Sequence, residues 1–208
     1  KSFLKQFDQP LHDEYSKEVL KEGLSFLRPK PIVGINAKEK DITIPGPPKF
    51  ISGTPLQQLK RISQLNYDHP AKVYCEKRKI PTNQHYRLFF APKFKTWVNG
   101  FIPDKFQNIG KDEPRLILPF LDGNGDFIGV SGRAFGKKDP RYYAIYYDRT
   151  KPRLFGLDTC KLNERVYVTE GPVDSLFLPN ALAMMGTDIN VVTSIGIDKS
   201  KLVFVLDN

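Results

Sequence analysis

Three carboxylates lie at or near the ends of two apolar segments. Glu170 follows the segment "RVYVT" directly, Asp174 comes four positions later, and Asp207 follows the segment "LVFVL" directly. Short apolar runs joined through a helical turn are typical of a parallel α/β sheet, in which loops and ligands gather at the carboxyl ends of the strands. We therefore expect the three acids to share one edge of a sheet.

These residue types point to metal-assisted chemistry on phosphate esters. Like charges so close together repel one another unless a cation lies between them. Hard oxygen ligands, without histidine or cysteine beside them, favour Mg²⁺ or Mn²⁺, ions that also bridge phosphate oxygens. A structural alternative stays open, because Asp174 is also suited to capping a helix and Asp207 to a simple turn.

The elements that would position the acids are short. "PVDSLFL" reads as a helix with Pro172 at its favoured first position, "ALAMM" as a second strand and "LVFVL" as a third, while "INVVTSIGI" is ambiguous. This alternation predicts an α/β fold with a parallel sheet.

The region before the acids reads as a mixed α+β unit. Two segments predict helices, "TPLQQLKRIS" and "HPAKVYCEKRKIP". Strands are predicted for "YRLFFAP", "KTWVNGFI" and "RYYAIYY", and "RLILPFLDGNGDFIGVSGRAF" predicts a hairpin that turns at Asp122-Gly123-Asn124-Gly125.

Charge separates the same two regions. The chain of 208 residues carries a net charge of +9, and residues 60–105 hold ten Lys and Arg against three Asp and Glu, whereas residues 166–208 hold two against five. A basic region beside a cluster of acids suits a polyanion that one part holds and the other processes. Lysines that merely solvate surface helices would produce part of the same surplus.

Neither a membrane segment nor a disulfide framework is indicated. No apolar run reaches the ~18 to 20 residues of a membrane span, and the first residues lack a signal-peptide pattern. The two cysteines, Cys75 and Cys160, stand alone and are expected to be reduced thiols. These features predict a soluble intracellular protein with no membrane partner.

Three regions follow from the composition along the chain. Residues 1–54 combine helix-like spacing with a proline-rich linker, residues 55–165 form the basic α+β unit, and residues 166–208 form the parallel α/β part.

Several motifs together resemble a known family. "VYVTEGPVDSLFL", followed later by "LVFVLDN", resembles the Toprim signature, a Glu-Gly-x-x-Asp turn and then an Asp-x-Asp turn. Upstream, "PRLILPFLDGNGDFIGVSGRAFGKKDPRYY" and "PRLFGLD" are similar to the catalytic core of bacterial-type DNA primases, and "DHPAKVYCEKRKIP" extends the resemblance to primases of T-even-type bacteriophages. The family's Gly-Gly-Arg turn reads Ser131-Gly132-Arg133 here, and the Asp-x-Asp turn stops at Asp207-Asn208.

The resemblance implies a DNA-directed RNA polymerase of phage DNA replication. Such a primase joins ribonucleoside triphosphates into short RNA primers on single-stranded DNA with Mg²⁺ or Mn²⁺, in the bacterial cytoplasm and beside a replicative helicase. Relatives also carry an N-terminal zinc ribbon, so Zn²⁺ is expected only in a module outside this chain. On this expectation the chain is an internal fragment with part of Toprim missing, and it is inactive alone.

Roles for individual residues follow from the same resemblance. Glu170 matches the catalytic acid and, with Asp207, a metal ligand, and Asp174 matches an acid that orients the ligands. Four arginines match basic residues that lead template and nucleotide toward the acids: Arg78, Arg133, Arg141 and Arg153. Solvated surface is the alternative for Arg78 and Arg153.

Other interpretations stay open at this point. The aromatic side chains of Trp97, Tyr142 and Tyr143 are able to stack on bases, or they are core or strand-face aromatics. A different Toprim enzyme, a nuclease or topoisomerase, would use similar acids, and a single-strand-binding module with incomplete acids is a non-enzymatic alternative.

Overall fold

The computed structural model describes residues 53–137, 139–184 and 188–206, and these residues belong to one compact unit. The predicted helices of residues 3–27, the proline-rich linker up to residue 52 and Asp207 lie outside the described residues.

An antiparallel five-stranded sheet forms the larger part of the described structure. Its strands follow one another in chain order, with every neighbouring pair antiparallel: β1 (Lys60–Arg61), β2 (Phe89–Ala91), β3 (Arg115–Leu121), β4 (Phe127–Ala134) and β5 (Tyr142–Tyr146). The predicted hairpin is confirmed as β3 and β4. Asp122 stabilises its turn, because the carboxylate accepts hydrogen bonds from the backbone N–H groups of Asn124 and Asp126.

The helix predicted after Asp68 is confirmed as α1, which spans Pro70–Lys77. Pro70 occupies its first turn, and His69 caps it by accepting a hydrogen bond from the Ala71 backbone through Nδ1 at 3.2 Å. The helix buries Ala71 and Cys75 against the sheet.

The strand predicted for "KTWVNGFI" is wrong, because Phe94–Asn99 forms a helix, α2. Its N-terminus is capped by Asp112, a residue far along the chain, whose carboxylate accepts hydrogen bonds from the backbone N–H groups of Lys95 and Thr96. Phe94, Trp97 and Val98 lie on one face of the helix and are buried. The local sequence indicated a strand, whereas the Asp112 cap and the buried face of the segment favour a helix.

The single helix predicted for "TPLQQLKRIS" is also wrong. Pro55–Gln58 and Ile62–Gln64 are separate 3-10 turns with β1 between them. The segment extends at β1 because Lys60 and Arg61 pair with Phe90 and Phe89 of β2, and this pairing outweighs helix propensity.

The predicted parallel sheet is confirmed in the last part of the chain. Strands β6 (Val166–Thr169), β7 (Ala181–Ala183) and β8 (Leu202–Val205) are parallel, and β6 lies in the middle. The short helix α3 (Pro172–Ser175) connects β6 to β7. The ambiguous "INVVTSIGI" contains the helix α4 (Asn190–Thr193). Mixed helices and sheets thus make up the described chain, as the predicted fold class requires.

Two hydrophobic cores cover the opposite faces of the antiparallel sheet. Core 1 contains Leu116 and Leu118 of β3 with Ala71 and Cys75 of α1, and core 2 contains Ile117 of β3 with the buried face of α2. Successive residues of β3 point to opposite sides, so one strand supplies both cores.

Core 1 also joins the parallel sheet to the antiparallel sheet. Val173 of α3, Leu176 directly after this helix and Ala183 of β7 are buried in it. Phe155, in the loop before β6, and Ala183 of β7 exchange two backbone hydrogen bonds of 3.0 Å each. This antiparallel bridge ties the loop to β7. The helix after Glu170 therefore packs directly against the core of the larger sheet.

Two further expectations concern cysteines and membranes. Cys75 and Cys160 are free thiols, and burial raises the pKa of Cys75 to about 12 and that of Cys160 to about 11. Of the helices in residues 53–206 that the structure describes, none is long and apolar enough to cross a membrane.

Replacing Asp112 by Ala should lower the free energy of unfolding by about 0.5 to 2 kcal/mol, the usual cost of losing a helix cap. Burial raises the pKa of Asp112, but hydrogen bonds from Thr96 and Lys95 outweigh burial and hold the pKa below its ordinary value. The difference from wild type should therefore be complete above about pH 4 and disappear as the pH falls through the lower pKa of the folded state. Urea unfolding at several pH values measures it.

Asp68→Ala provides the matched control, because Asp68 is an exposed acid that caps no described helix. An Asp112→Ala variant as stable as the Asp68→Ala control at neutral pH would contradict the capping role.

Candidate functional site

A basic pocket lies beside the antiparallel sheet, on the side of core 1. It has a volume of about 420 Å³ and is lined by residues of α1, of β4 and of the loop that leads to β5: Tyr74, Arg78, Arg133, Gly136, Lys137 and Arg141. The structure thus brings three of the four predicted arginines together from separate parts of the chain.

Arg133 forms the buried wall of this basic pocket. Its side chain is 3% exposed, and its Nε donates a hydrogen bond of 2.7 Å to the Tyr74 hydroxyl. The guanidinium carbon lies 4.8 Å from the centre of the Tyr142 ring, on the residue that pairs with Arg133 across β4 and β5. A hydroxyl and an aromatic face therefore hold this arginine in one orientation.

The charges around Arg133 repel one another. Burial lowers the pKa of Arg133, the Tyr74 hydroxyl raises it, and the nearby Arg78 and Arg141 lower it further. Arginine nevertheless stays protonated in proteins. The cost of crowding these cations is relieved when an anion enters, so the basic pocket is electrostatically suited to phosphate.

The remaining cations of the pocket are exposed. Arg78 and Arg141 both reach solvent, and the guanidinium of Arg78 lies 5.9 Å from the centre of the Tyr74 ring. In the described part of the chain neither forms an ion pair with an acid. Their donors are available to a ligand.

Arg153, the fourth predicted arginine, does not line the basic pocket. Its guanidinium lies 4.8 Å from the centre of the Tyr146 ring, and Tyr146 in turn stacks on Phe120. Tyr146 and Tyr142 are four positions apart on β5, a separation of roughly 13 Å along a strand.

Glu170 and Asp174 lie at the carboxyl edge of the parallel sheet. Glu170 directly follows β6, the central strand, and Asp174 lies in α3. The Thr169 hydroxyl donates a hydrogen bond of 3.0 Å to the Gly171 carbonyl and so holds the turn between them. Among the described residues neither carboxylate has a hydrogen-bond or ion-pair partner, and Asp174 is exposed.

The glycine between the two acids has a spatial reason. A Cβ atom at Gly171 would overlap Oδ2 of Asp174. The Asp174 carboxylate thus lies against the backbone of Gly171, the residue that directly follows Glu170.

The basic pocket and the acids lie on the same side of the antiparallel sheet. Arg133 pairs with Leu116 across β3 and β4, and paired residues point to the same side of a sheet. Leu116 belongs to core 1, as do Val173 of the helix that carries Asp174 and Leu176 directly after this helix. The arginines of the basic pocket and the helix that carries Asp174 therefore both lie on the core 1 side of the antiparallel sheet.

A complete metal centre is not assembled by the described residues. In residues 53–137, 139–184 and 188–206, no group of three or more Asp, Glu, His or Cys side chains could hold an ion. Asp207, the third predicted acid, lies outside the described residues, beyond the end of β8.

Sequence reasoning missed two residues of the basic pocket, Tyr74 and Lys137. Tyr74 precedes Arg78 by one helical turn of α1, a spacing that places both on one face and could have indicated it. The aromatic residues pack within the fold: Trp97 and Tyr143 in core 2, and Tyr142 on the face of β5 over Arg133.

Two solved structures with a similar fold are primase cores. The chain is similar to the Aquifex aeolicus primase, in a structure of its zinc-binding and RNA polymerase domains, with a TM-score of 0.51 at 22% identity over 67% of this chain and 43% of that one. It is also similar to the DnaG catalytic core, with a TM-score of 0.50 at 19% identity over 68% of this chain and 55% of that one. The fold is that of a bacterial-type primase catalytic core.

The sequence comparison identifies a phage relative. The chain is 34% identical to the DNA primase of Enterobacteria phage T4 over 212 residues, which cover 99% of this chain and 57% of the relative. No protein family model matches. The resemblance seen in the motifs is confirmed: this chain is similar to the DNA primase of phage T4, and it spans 57% of that protein's length.

Arg78→Ala and Arg141→Ala should each weaken binding of single-stranded DNA, if the basic pocket holds template phosphates. Each lost phosphate contact should make the log-log salt dependence of the affinity shallower by ~0.7. Fluorescence anisotropy with a labelled oligonucleotide at several salt concentrations measures both effects. Lys77→Ala removes the same charge from the neighbouring position of α1 and does not line the pocket; equal losses in Lys77→Ala and Arg78→Ala would place DNA elsewhere.

Tyr74→Phe should weaken anion binding and destabilise the fold. The ring keeps its edge contact with Phe135, but the buried Nε of Arg133 loses its hydrogen-bond acceptor, a change that costs about 1 to 3 kcal/mol. Thermal melts and titration with inorganic triphosphate measure the two effects. Tyr67→Phe is the control, because Tyr67 is 83% exposed; a Tyr74→Phe variant with unchanged stability and affinity would exclude this role.

Proposed function

We propose that this chain acts in DNA primase activity, the metal-dependent joining of ribonucleoside triphosphates into RNA primers on a single-stranded DNA template. The observation that carries the proposal is the convergence of Arg78, Arg133 and Arg141 in one pocket. This pocket lies on the side of the antiparallel sheet that also holds the acidic turn, residues 170–174. Similarity to the phage T4 DNA primase supports it.

The basic pocket is assigned to phosphate groups of the nucleotide or template. The planar guanidinium fork of arginine binds two phosphate oxygens at once, which orients the ligand as well as attracting it. The rigid Arg133 would define the position of the phosphate, and the exposed Arg78 and Arg141 would close on it from solvent. Arg153, on Tyr146, is assigned to a more distant stretch of template.

The acidic turn is assigned to the metal ions. The donor set fits Mg²⁺ or Mn²⁺, because Glu170 and Asp174 offer carboxylate oxygens that no described cation neutralises. Asp207 is the proposed further ligand. A bound divalent ion would lower the pKa of the attacking 3′-hydroxyl and neutralise charge on the leaving pyrophosphate.

The chain's own residues would contribute position and charge. Glu170 directly follows Thr169, the last residue of the central strand, and Thr169 pairs with the neighbouring strands on both sides. Asp174 would orient the ligand set from the first turn of α3, where Gly171 leaves room for it. The arginines would hold the substrate phosphates while the acids hold charge near the reacting atoms.

The regional assignment belongs to the same proposal. Residues 55–165 would form the basic subdomain that binds template and nucleotide, and residues 166–208 would contribute the Toprim acids. Primer synthesis takes place on replicating DNA, so the bacterial cytoplasm is the proposed location and a replicative helicase the proposed partner.

Glu170→Gln should reduce primer synthesis by ~10² to 10³ or more, the usual cost of removing a group that stabilises charge in the transition state. Production of labelled RNA on a single-stranded template with Mg²⁺ or Mn²⁺ measures it, in the natural full-length polypeptide that contains these residues. Binding of single-stranded DNA should stay within about twofold, because the electrostatic attraction comes from the arginines.

Glu164→Gln is the matched control, since Glu164 is an exposed acid just before β6 that pairs with Lys161 at 3.1 Å. A Glu170→Gln variant that makes primers as well as Glu164→Gln would refute the catalytic assignment. DNA cleavage without primer synthesis in the wild type would favour a Toprim nuclease, and DNA binding with neither activity would favour a binding module.

A further inference from the structure

Arg115 is a buried cation that the proposed function does not use. It begins β3, is 5% exposed and does not line the basic pocket. A charged residue at the head of a strand that is otherwise apolar and buried throughout needs partners for every donor. Its partners are a backbone carbonyl of β4 and a backbone carbonyl of the loop that carries Arg141.

The guanidinium of Arg115 binds backbone carbonyls on two sides. Nη1 donates to the Gly132 carbonyl at 2.9 Å, and Nη1 and Nη2 both donate to the Pro140 carbonyl at 3.1 Å. Pro140 directly precedes Arg141, whose own carbonyl accepts a hydrogen bond of 2.9 Å from Ala134. The backbone that presents Arg141 is thus held from both sides.

Aromatic rings hold the guanidinium itself in place. Its carbon lies 4.5 Å from the centre of the Tyr143 ring and 5.5 Å from that of Phe94, and these two rings are stacked on each other. Phe94 lies so close to Gly132 that a Cβ atom there would overlap the ring. Burial lowers the pKa of Arg115, while Tyr143 and Glu113 raise it.

This arrangement separates Arg115 from the substrate. Its terminal nitrogens already bind carbonyls, and its face is covered by rings, so a ligand in the basic pocket has no access to it. Lysine could not replace it fully, because a single ammonium lacks the planar fork that reaches two carbonyls at once.

We propose that Arg115 is a positioning residue, which holds the Pro140 carbonyl and thereby fixes Arg141 at the mouth of the basic pocket. The inference rests on the proposed function, since it assumes that Arg141 binds substrate phosphate. Arg115 acts only through that loop, and its effect should therefore depend on Arg141 and not on Arg78.

A double-mutant cycle tests this dependence in the 208-residue chain. The variants are Arg115→Gln, Arg141→Ala and Arg78→Ala, alone and in pairs, with affinity for inorganic triphosphate measured by calorimetry and folding by circular dichroism. Arg141→Ala should weaken binding about tenfold, as expected for a lost charge-assisted hydrogen bond, and Arg115→Gln should weaken it about three- to tenfold. In the Arg141→Ala background, Arg115→Gln should change affinity less than about twofold, because residues that act as one unit are not additive.

The Arg78→Ala background is the matched control, in which the effects of Arg115→Gln and Arg78→Ala should multiply. An equal effect of Arg115→Gln in both backgrounds would overturn the inference, since Arg115 would then act on the fold as a whole. If Arg115→Gln fails to fold, Arg115→Lys replaces it in the double-mutant cycle. This variant keeps the charge and should retain part of the affinity for triphosphate. In the Arg141→Ala background it, too, should change the affinity less than about twofold.

The failure of each proposal has its own signature. If Arg141→Ala leaves the affinity for triphosphate unchanged, the basic pocket does not bind phosphate and the proposed function is wrong in that respect. If Arg141→Ala weakens binding but Arg115→Gln and Arg115→Lys do not, only the positioning role is refuted.

Discussion

The packing of core 1 is the interaction on which the candidate site depends. Apolar side chains of β3, α1 and α3 pack together within a single buried cluster. Burial of this surface drives the two sheets together without regard to direction, and the strand register then decides what else lies on that side. Arg133 shares the side with core 1 through its pairing with Leu116, and the acids come with α3.

The cost of such a site is electrostatic. Arg133 is buried and close to two other arginines, which is unfavourable for the folded protein until an anion is bound. The Tyr74 hydroxyl and the Tyr142 ring offset part of this cost, and they also fix the guanidinium. The cost of burying the charge of Arg115 is offset by other contacts, because its guanidinium donates hydrogen bonds to backbone carbonyls and lies against an aromatic ring. One buried arginine is therefore available to a ligand, and the other stabilises the loop beside it.

Elements specified by nearby residues were predicted well. The hairpin of β3 and β4 has its turn signal in the sequence, and α1 has a proline at its start. The segment 94–99 was mispredicted because its cap, Asp112, and its apolar partners are distant in the chain. The segment 60–61 was mispredicted because its strand partner is β2. Local pattern decides an element only where no distant contact competes with it.

Residue types and their spacing were enough to predict the chemical groups and the order of elements: acids after apolar strands, arginines in the basic region, and motifs that resemble a primase. Which of these residues meet depends on the tertiary structure. It brought Arg78, Arg133 and Arg141 into one pocket with Tyr74, left Arg153 on Tyr146, and enclosed Arg115 beneath the loop of Arg141. The physical reason is that residue type and spacing are local, whereas the side of a sheet to which a charge points is set by strand register and by the cores that pack on it.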